Sequence, residues 1–395
     1  MQNMIKFLWI EVVFIVLFLS ACGNLKAEEE YNANLSIMNE ISEDNNINNE
    51  PRRSEEGNIS LSLKKIPFQI EMKDNQFITI CDIWNSRILC YVWHWNDSYT
   101  FALMDQIIIW DMDRHKIEKT VYMNQEYLFS AVLDYEGGIY LSCANVIKNQ
   151  GEKWDIFYLE NTETEFKSLK NGISTLEAGW GSPWLTHLGN QIICVYEEMK
   201  ENRQSQFGSF MIEGGKIKEL DMAGRSQNEK YTSNGISAGE DYFTYLIEKG
   251  KNLYFRVVNI NGEVEEFLWE NKGYGYVIAG NYLIQSGQGE KEGQNVIYVH
   301  DIKTREKKVY KTKSNGFRML AAEKESFYSV DSFYNIYYTK LEKERILESL
   351  IEVPKELNQK NVRFLTDQKH NVYFVYEDIP DKNYPLEIYI AEIRN

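Results

Sequence analysis

The sequence predicts an all-β ring of four-stranded units, and three observations carry that expectation. From Ile59 onward, short runs rich in Tyr, Phe, Ile and Val alternate with turn residues, and the whole chain holds only six prolines. No amphipathic helical period interrupts them, and β-branched and aromatic residues are those that suit a pleated, half-buried surface. The runs recur in groups of four. Gly138, Gly189, Gly239 and Gly280 stand 51, 50 and 41 residues apart, each just ahead of a strand. A period of about 40–50 residues with four strands per unit is that of a β-propeller.

The units read in order as follows. The first is Ile88–His94, Tyr99–Met104, Ile107–Asp111 and Lys116–Met123, with turns at Asn96-Asp97 and Asp105-Gln106. The next two are Leu128–Asp134, Ile139–Ala144, Trp154–Leu159 and Glu165–Leu169, then Trp184–Leu188, Gln191–Tyr196, Phe207–Ile212 and Lys216–Leu220. Three more have third strands at Leu253–Ile260, Asn295–Asp301 and Asn335–Leu341. A last unit runs through Val362–Thr366, Asn371–Tyr376 and Leu386–Ile393, one strand short of four. Seven blades are the count, with six or eight as alternatives. The strands Ile59–Ile70 and Phe77–Ile83 are left over at the other end, and one of them completing the last blade would close the ring and remove an open edge. Five residues after each column glycine stand Cys143, Cys194, Thr244 and Gln285. Small or modest residues at one repeated position mark a core column, so Cys143 and Cys194 read as buried free thiols. The run Ile107-Ile108-Ile109-Trp110-Asp111 resembles the third strand of a WD-repeat blade, and the resemblance covers that blade alone.

The chain ahead of the propeller has a different character. Lys6 precedes an apolar stretch, Phe7–Leu19, that is interrupted by Glu11 and followed by Leu19-Ser20-Ala21-Cys22. That stretch is long enough for a signal peptide and short for a spanning helix. The four residues ending in Cys22 resemble the lipobox of bacterial lipoproteins. The resemblance implies cleavage before Cys22, a diacylglyceryl thioether on its sulfur, and an extracytoplasmic protein held to the membrane by lipid. Residues 1–21 are then the signal peptide and 22–57 a disordered acidic tether, where nine Asp and Glu face three Lys and Arg. So polar a segment cannot bury enough apolar surface to offset its ordering entropy. Its r.m.s. span is on the order of 30–35 Å.

Residues 58–395 form the propeller domain. Their charge is −10 of the total −16, which argues against nucleic acid, because phosphate contacts need a Lys/Arg surface. Cys81 and Cys90 are close enough to face each other across a hairpin turning at Asn85-Ser86, yet the repeat register assigns Cys90 to a different blade's inner strand. Gly235-Ile236-Ser237-Ala238-Gly239 matches a nucleophile-elbow pattern, but a strand rather than a helix follows it. Asp111-Met112-Asp113-Arg114-His115 has metal-like spacing without the glycine and distal glutamate of a calcium loop, and reads as a solvated turn. The histidines are scattered over different units, so neither a metal nor a cofactor is expected.

The long connections gather on one face, because second-to-third strand loops and blade-to-blade loops emerge together. Trp154, Trp180 and Trp184 lie in or beside such connections and are the candidate ligand-binding residues; the alternative is that these rings pack between blades. The expected function is binding of a protein or glycan partner on that face. The rivals are a glycan hydrolase or lyase with carboxylates converging on the axis, and a structural module of a surface complex. Changing Cys22 to Ala should abolish metabolic labelling by a fatty-acid analogue. Labelling that persists in the variant would refute the assignment of the lipid to Cys22.

Overall fold

The computed structural model describes residues 54–56, 60–95, 102–144, 153–174, 182–199, 205–220, 229–270, 275–289, 291, 293–316, 318–323, 325–343, 345–353, 362–376 and 386–394. The expected signal peptide, Cys22 and most of the tether lie outside them. Within the expected tether, Ser54–Glu56 form a short strand, β1, followed by β2 (Ser60–Ile66).

Seven four-stranded antiparallel blades follow around one axis. Blade 1 comprises β3 (Phe77–Trp84), β4 (Arg87–Trp95), β5 (Ala102–Asp111) and the first part of β6 (Lys116–Leu133). The second part of β6 is the inner strand of blade 2, which continues with β7 (Ile139–Ala144), β8 (Lys153–Leu159) and β9 (Lys167–Ser174). Blade 3 is β10 (Trp184–Leu188), β11 (Gln191–Met199), β12 (Ser205–Glu213) and β13 (Lys216–Glu219). Blade 4 is β14 (Glu229–Ala238), β15 (Tyr242–Lys249), β16 (Asn252–Asn259) and β17 (Val264–Leu268). Blade 5 is β18 (Tyr276–Ala279), β19 (Tyr282–Gln288), β20 (Asn295–Asp301) and β21 (Lys307–Lys311). Blade 6 is β22 (Arg318–Glu323), β23 (Ser326–Val330), β24 (Ile336–Leu341) and β25 (Ile346–Leu350). Blade 7 is β26 (Val362–Thr366), β27 (Val372–Tyr376) and β28 (Glu387–Arg394), and β2 is its outer strand.

The expected closure is therefore present: β2 pairs antiparallel with β28 from Ser60↔Arg394 to Ile66↔Ile388. Strand β1 adds a fifth, parallel strand to blade 6, with Ser54 opposite Ile346. Neighbouring inner strands touch around the complete ring.

The register of blade 1 differs from the sequence reading. Asp105-Gln106 is no turn; it is a bulge inside one long strand, β5. Its inner strand is Phe77–Trp84, one of the two strands left unassigned, and Ile88–His94 belongs to the second position. Two polar residues in an apolar run mimic a turn, whereas here the bulge frees the Asp105 carboxylate to accept from Gln76 Nε2 at 2.8 Å. The WD-like run does lie in the third strand of its blade, as expected.

Burial explains the sequence pattern. Second strands sit between two neighbours and are buried on both faces, as β7, β23 and β27 are throughout, while the outer strand β13 is almost wholly exposed or half-exposed. The described apolar core divides into seven clusters, and each joins two adjacent blades. One unites Ile80, Cys90 and Ile108 of blade 1 with Tyr373, Val375 and Ile388 of blade 7. The glycine-plus-five column is buried as expected, with Cys143 at 1 % exposure and Cys194, Thr244 and Gln285 at 0 %. Burial raises the Cys194 thiol well above the usual range.

Cys81 and Cys90 lie on adjacent strands of one blade, contrary to the expected register, and no disulfide joins them. Cys90 packs toward blade 7 and Cys81 toward blade 2, so they occupy opposite faces of the sheet.

A chain beginning at Ser54 should melt like the full chain. One that also lacks residues 60–66 should melt lower, on the order of 10 °C, because blade 7 loses its outer strand. Equal melting temperatures for the two truncations would refute closure by β2.

Candidate functional site

Each blade sends its first and third turns to one end of the ring and its remaining connections to the other; these ends are called the turn face and the loop face. On the turn face, short turns meet one another across the axis. The Asn85 N–H of blade 1 donates to Gln368 Oε1 of blade 7 at 2.7 Å, and Asn85 Nδ2 donates to Tyr135 O of blade 2 at 3.0 Å. Gly189 of blade 3, at φ 59°, donates to Gly239 O of blade 4, and a Cβ on it would stand 2.8 Å from Glu240 O. His370 Nε2 of blade 7 lies 2.8 Å from Glu240 Oε1 of blade 4, a contact that spans the axis.

Just inside, Asp82 of blade 1 ties three blades together. Its Oδ2 accepts from the Leu133 N–H of blade 2 at 2.8 Å and lies 2.8 Å from His187 Nε2 of blade 3, while Oδ1 accepts from the Ile83 N–H. The His187 ring stacks on Trp84 with centroids 3.6 Å apart. The turn face thus carries a stopper of hydrogen-bonded side chains. At the opposite end, the inner strands of blades 1, 3, 5 and 6 open with Phe77, Trp184, Tyr276 and Arg318, all half-buried. Arg318 Nη1 donates to Val362 O at 3.2 Å and couples blades 6 and 7 there. Three aromatic residues and a cation therefore open four of the seven inner strands at the loop end.

The sequence-predicted residues fare differently. Trp184 is the half-buried first residue of β10, at the loop end. Trp154 does not face solvent: it is fully buried in the core between blades 2 and 3, with Ile173, Leu185 and Phe210. Its ring is long enough to fill the gap between two sheets, which is the packing alternative weighed for it. Trp180 lies outside the described residues, as do 145–152, 175–181, 221–228 and 377–385 of the long connections. The gaps after Leu169 and between Tyr196 and Phe207 are shorter than the sequence runs imply, because β9 extends to Ser174, β11 to Met199 and β12 begins at Ser205.

Ser237 of the G-x-S-x-G run is in β14, where its Oγ accepts from the Ile278 N–H of blade 5 at 3.0 Å and joins two inner strands. Asp111 Oδ1 accepts from the N–H groups of Asp113 and Arg114, both at 2.9 Å, so that segment is a turn as expected. No cluster able to hold a metal ion occurs among the described residues. Buried His300 is held neutral: desolvation, aided by Lys307, lowers its pKa to about 4.

Sequence reasoning missed two aromatic groups on the loop face. Phe77, Trp93 and Trp95 pack edge and tilt at 4.7 and 5.4 Å beside a His94 Nδ1–Asp105 Oδ1 contact of 2.8 Å. Phe333 and Tyr334 are 78 % and 45 % exposed on the second-to-third turn of blade 6. The signal for the latter was the pattern Asp-x-x-x-Asn, which fixes such a turn.

No protein-family model matches the chain, and no curated protein matches it. Among solved structures it is similar to a chain of the "Crystal Structure of Mitotic Checkpoint Complex", with 10 % identity, 83 % of this chain and 92 % of that one covered, and a TM-score of 0.46. It is also similar to the β-propeller domain of the Trilobed protease from Pyrococcus furiosus, at 11 % identity, 82 % and 96 % coverage and a TM-score of 0.48. A third is Pyrococcus horikoshii acylaminoacyl peptidase, at 11 % identity, with 80 % of this chain and 51 % of that chain covered and a TM-score of 0.49. The architecture itself rests on the strand pairing above.

Asp82→Ala would leave the buried Leu133 N–H without an acceptor and His187 without its partner. It should cost about 3 kcal/mol in denaturant unfolding, and Asp82→Asn, which keeps an acceptor, distinctly less. A loss below about 0.5 kcal/mol in the Ala variant would show that the stopper contributes little.

Proposed function

We propose that this chain is a lipid-anchored, extracytoplasmic binding module that takes a protein or glycan partner on its loop face. The observation that carries the choice of face is the stopper: Asp82 with His187, and His370 with Glu240, form two contacting pairs at the turn end of the channel. Aromatic residues and Arg318 stand at the other end, where connections on a rigid scaffold are free to vary. The lipobox resemblance supports the location. Against the rival of a glycan hydrolase or lyase with carboxylates converging on the axis, the buried Asp82 has both oxygens engaged.

Steric shielding tests the face. Lys251 lies on the loop face in the second turn of blade 4, and Lys303 on the turn face in the third turn of blade 5; both are exposed. Each is replaced by Cys in the full chain and coupled to a polyethylene glycol maleimide. Complex formation is followed by native electrophoresis of detergent-solubilised membranes and by sedimentation with cell-wall material. Polymer at 251 should reduce association at least about tenfold, a loss of about 1.4 kcal/mol, and polymer at 303 should leave it unchanged. Equal effects at both sites, or an effect at 303 alone, would overturn the reading.

A further inference from the structure

Among the described residues, three turns that open on an aspartate share one construction. In Asp134–Gly138, Asp331–Asn335 and Asp367–Asn371, the first carboxylate accepts from the N–H groups two and four residues on. Each turn places its fourth residue at positive φ: Gly137 at 90°, Tyr334 at 64° and His370 at 59°. Glycine adopts that conformation freely, and a bulky side chain does so at a cost. His370 returns the cost inside the molecule through its contact with Glu240 across the axis. The Tyr334 side chain makes no hydrogen bond or ring contact among the described residues, and its neighbour Phe333 is among the most exposed large apolar side chains described.

The turn is rigid. Asp331 Oδ1 accepts from the Phe333 and Asn335 N–H groups at 2.8 and 2.9 Å, Oδ2 accepts from Asn335 Nδ2 at 2.9 Å, and Asn315 Nδ2 donates to Ser332 Oγ at 3.1 Å. Its position between the second and third strands of blade 6 puts it on the loop face. We propose that Phe333 and Tyr334 form the anchor by which the loop face holds a protein partner, which supplies an apolar cleft for the two rings. This rests on the loop-face reading and selects the protein from its two partner classes.

The chemistry makes that selection. A small ligand needs a concavity that encloses it, and this tip is convex. A sugar needs hydrogen-bonding groups beside the ring, and here Asp331, Ser332 and Asn335 are engaged with the turn itself. What the tip offers is two aromatic surfaces whose ordering has already been done by the fold, which is what makes an interfacial anchor effective.

The test places the photo-reactive residue p-benzoylphenylalanine at 333 in the full chain in living cells. The control is the same residue at 135, because Tyr135 is 62 % exposed in a turn of the same construction on the opposite face. Irradiation should give an adduct with one polypeptide from 333 and none from 135, with the attachment mapped to an apolar cleft. The purified partner should bind Phe333→Ser at least about thirtyfold more weakly, with an unchanged melting temperature. Tyr334→Gly, which relieves the positive φ, should lose affinity while melting no lower than the parent. No adduct at 333, equal adducts at both positions, or full affinity in both variants would overturn the anchor. If polymer at 251 still abolishes the complex in that case, the loop-face reading stands without it; polymer at 251 without effect overturns the loop-face reading itself.

Discussion

A four-stranded sheet with two apolar faces cannot be stable alone, and everything else in this molecule follows from supplying both faces of every sheet with a neighbour. Blade 4 illustrates it: Phe243, Tyr245 and Ile247 pack against blade 3, while Leu246, Phe255 and Phe267 pack against blade 5. A linear stack would leave its two end sheets half bare. A ring has no ends, so the cluster between blades 7 and 1 is equivalent in kind to the other six. Polar links follow the same seams. Ser130 accepts from the Leu185 N–H, and Lys170 of blade 2 reaches Glu219 while lying over the rings of Tyr196 and Phe210 in blade 3.

Polar groups inside this apolar framework pin the connections. Gln285 donates to and accepts from the main chain of Glu270, and Ser286 bonds Gly275 and Gly316, so one buried strand holds both connections that flank blade 5. Glu348, almost wholly buried, accepts from the Lys313 N–H at 2.8 Å. In blade 4, burial alone would raise the Glu266 carboxyl, but hydrogen bonds from Lys249 and Arg256 outweigh it and hold the group below its ordinary range. The channel stopper is this device applied at the axis.

What could be read in advance was whatever is periodic. The third strand Asn295–Asp301, the inner strand Val362–Thr366 and the glycine-plus-five column each stand where their spacing put them. What could not be read was local or long-range. Asp105 is a bulge whose purpose shows only once Gln76 and His94 are beside it. Whether a tryptophan fills a seam, as Trp154 does, or opens an inner strand, as Trp184 does, depends on a neighbouring blade far away in sequence. The Asp82–His187 contact joins residues 105 positions apart, and no motif announces it. The exposed tip at Phe333 was legible in principle, since Asp-x-x-x-Asn dictates a turn.

The strand register also fixes how the ring bears a mechanical load. Ser54 lies opposite the first residue of β25, and Ser60 opposite Arg394 near the end of β28, so the chain reaches both blades from the turn face. A pull on the segment ahead of Ser54 is therefore directed along β1 and β2 rather than across them. The hydrogen bonds of seven paired residues in β2 then share the force simultaneously, in shear, instead of opening one after another like a zipper. The strand that closes the ring takes this load next after β1, and its geometry is the resistant one.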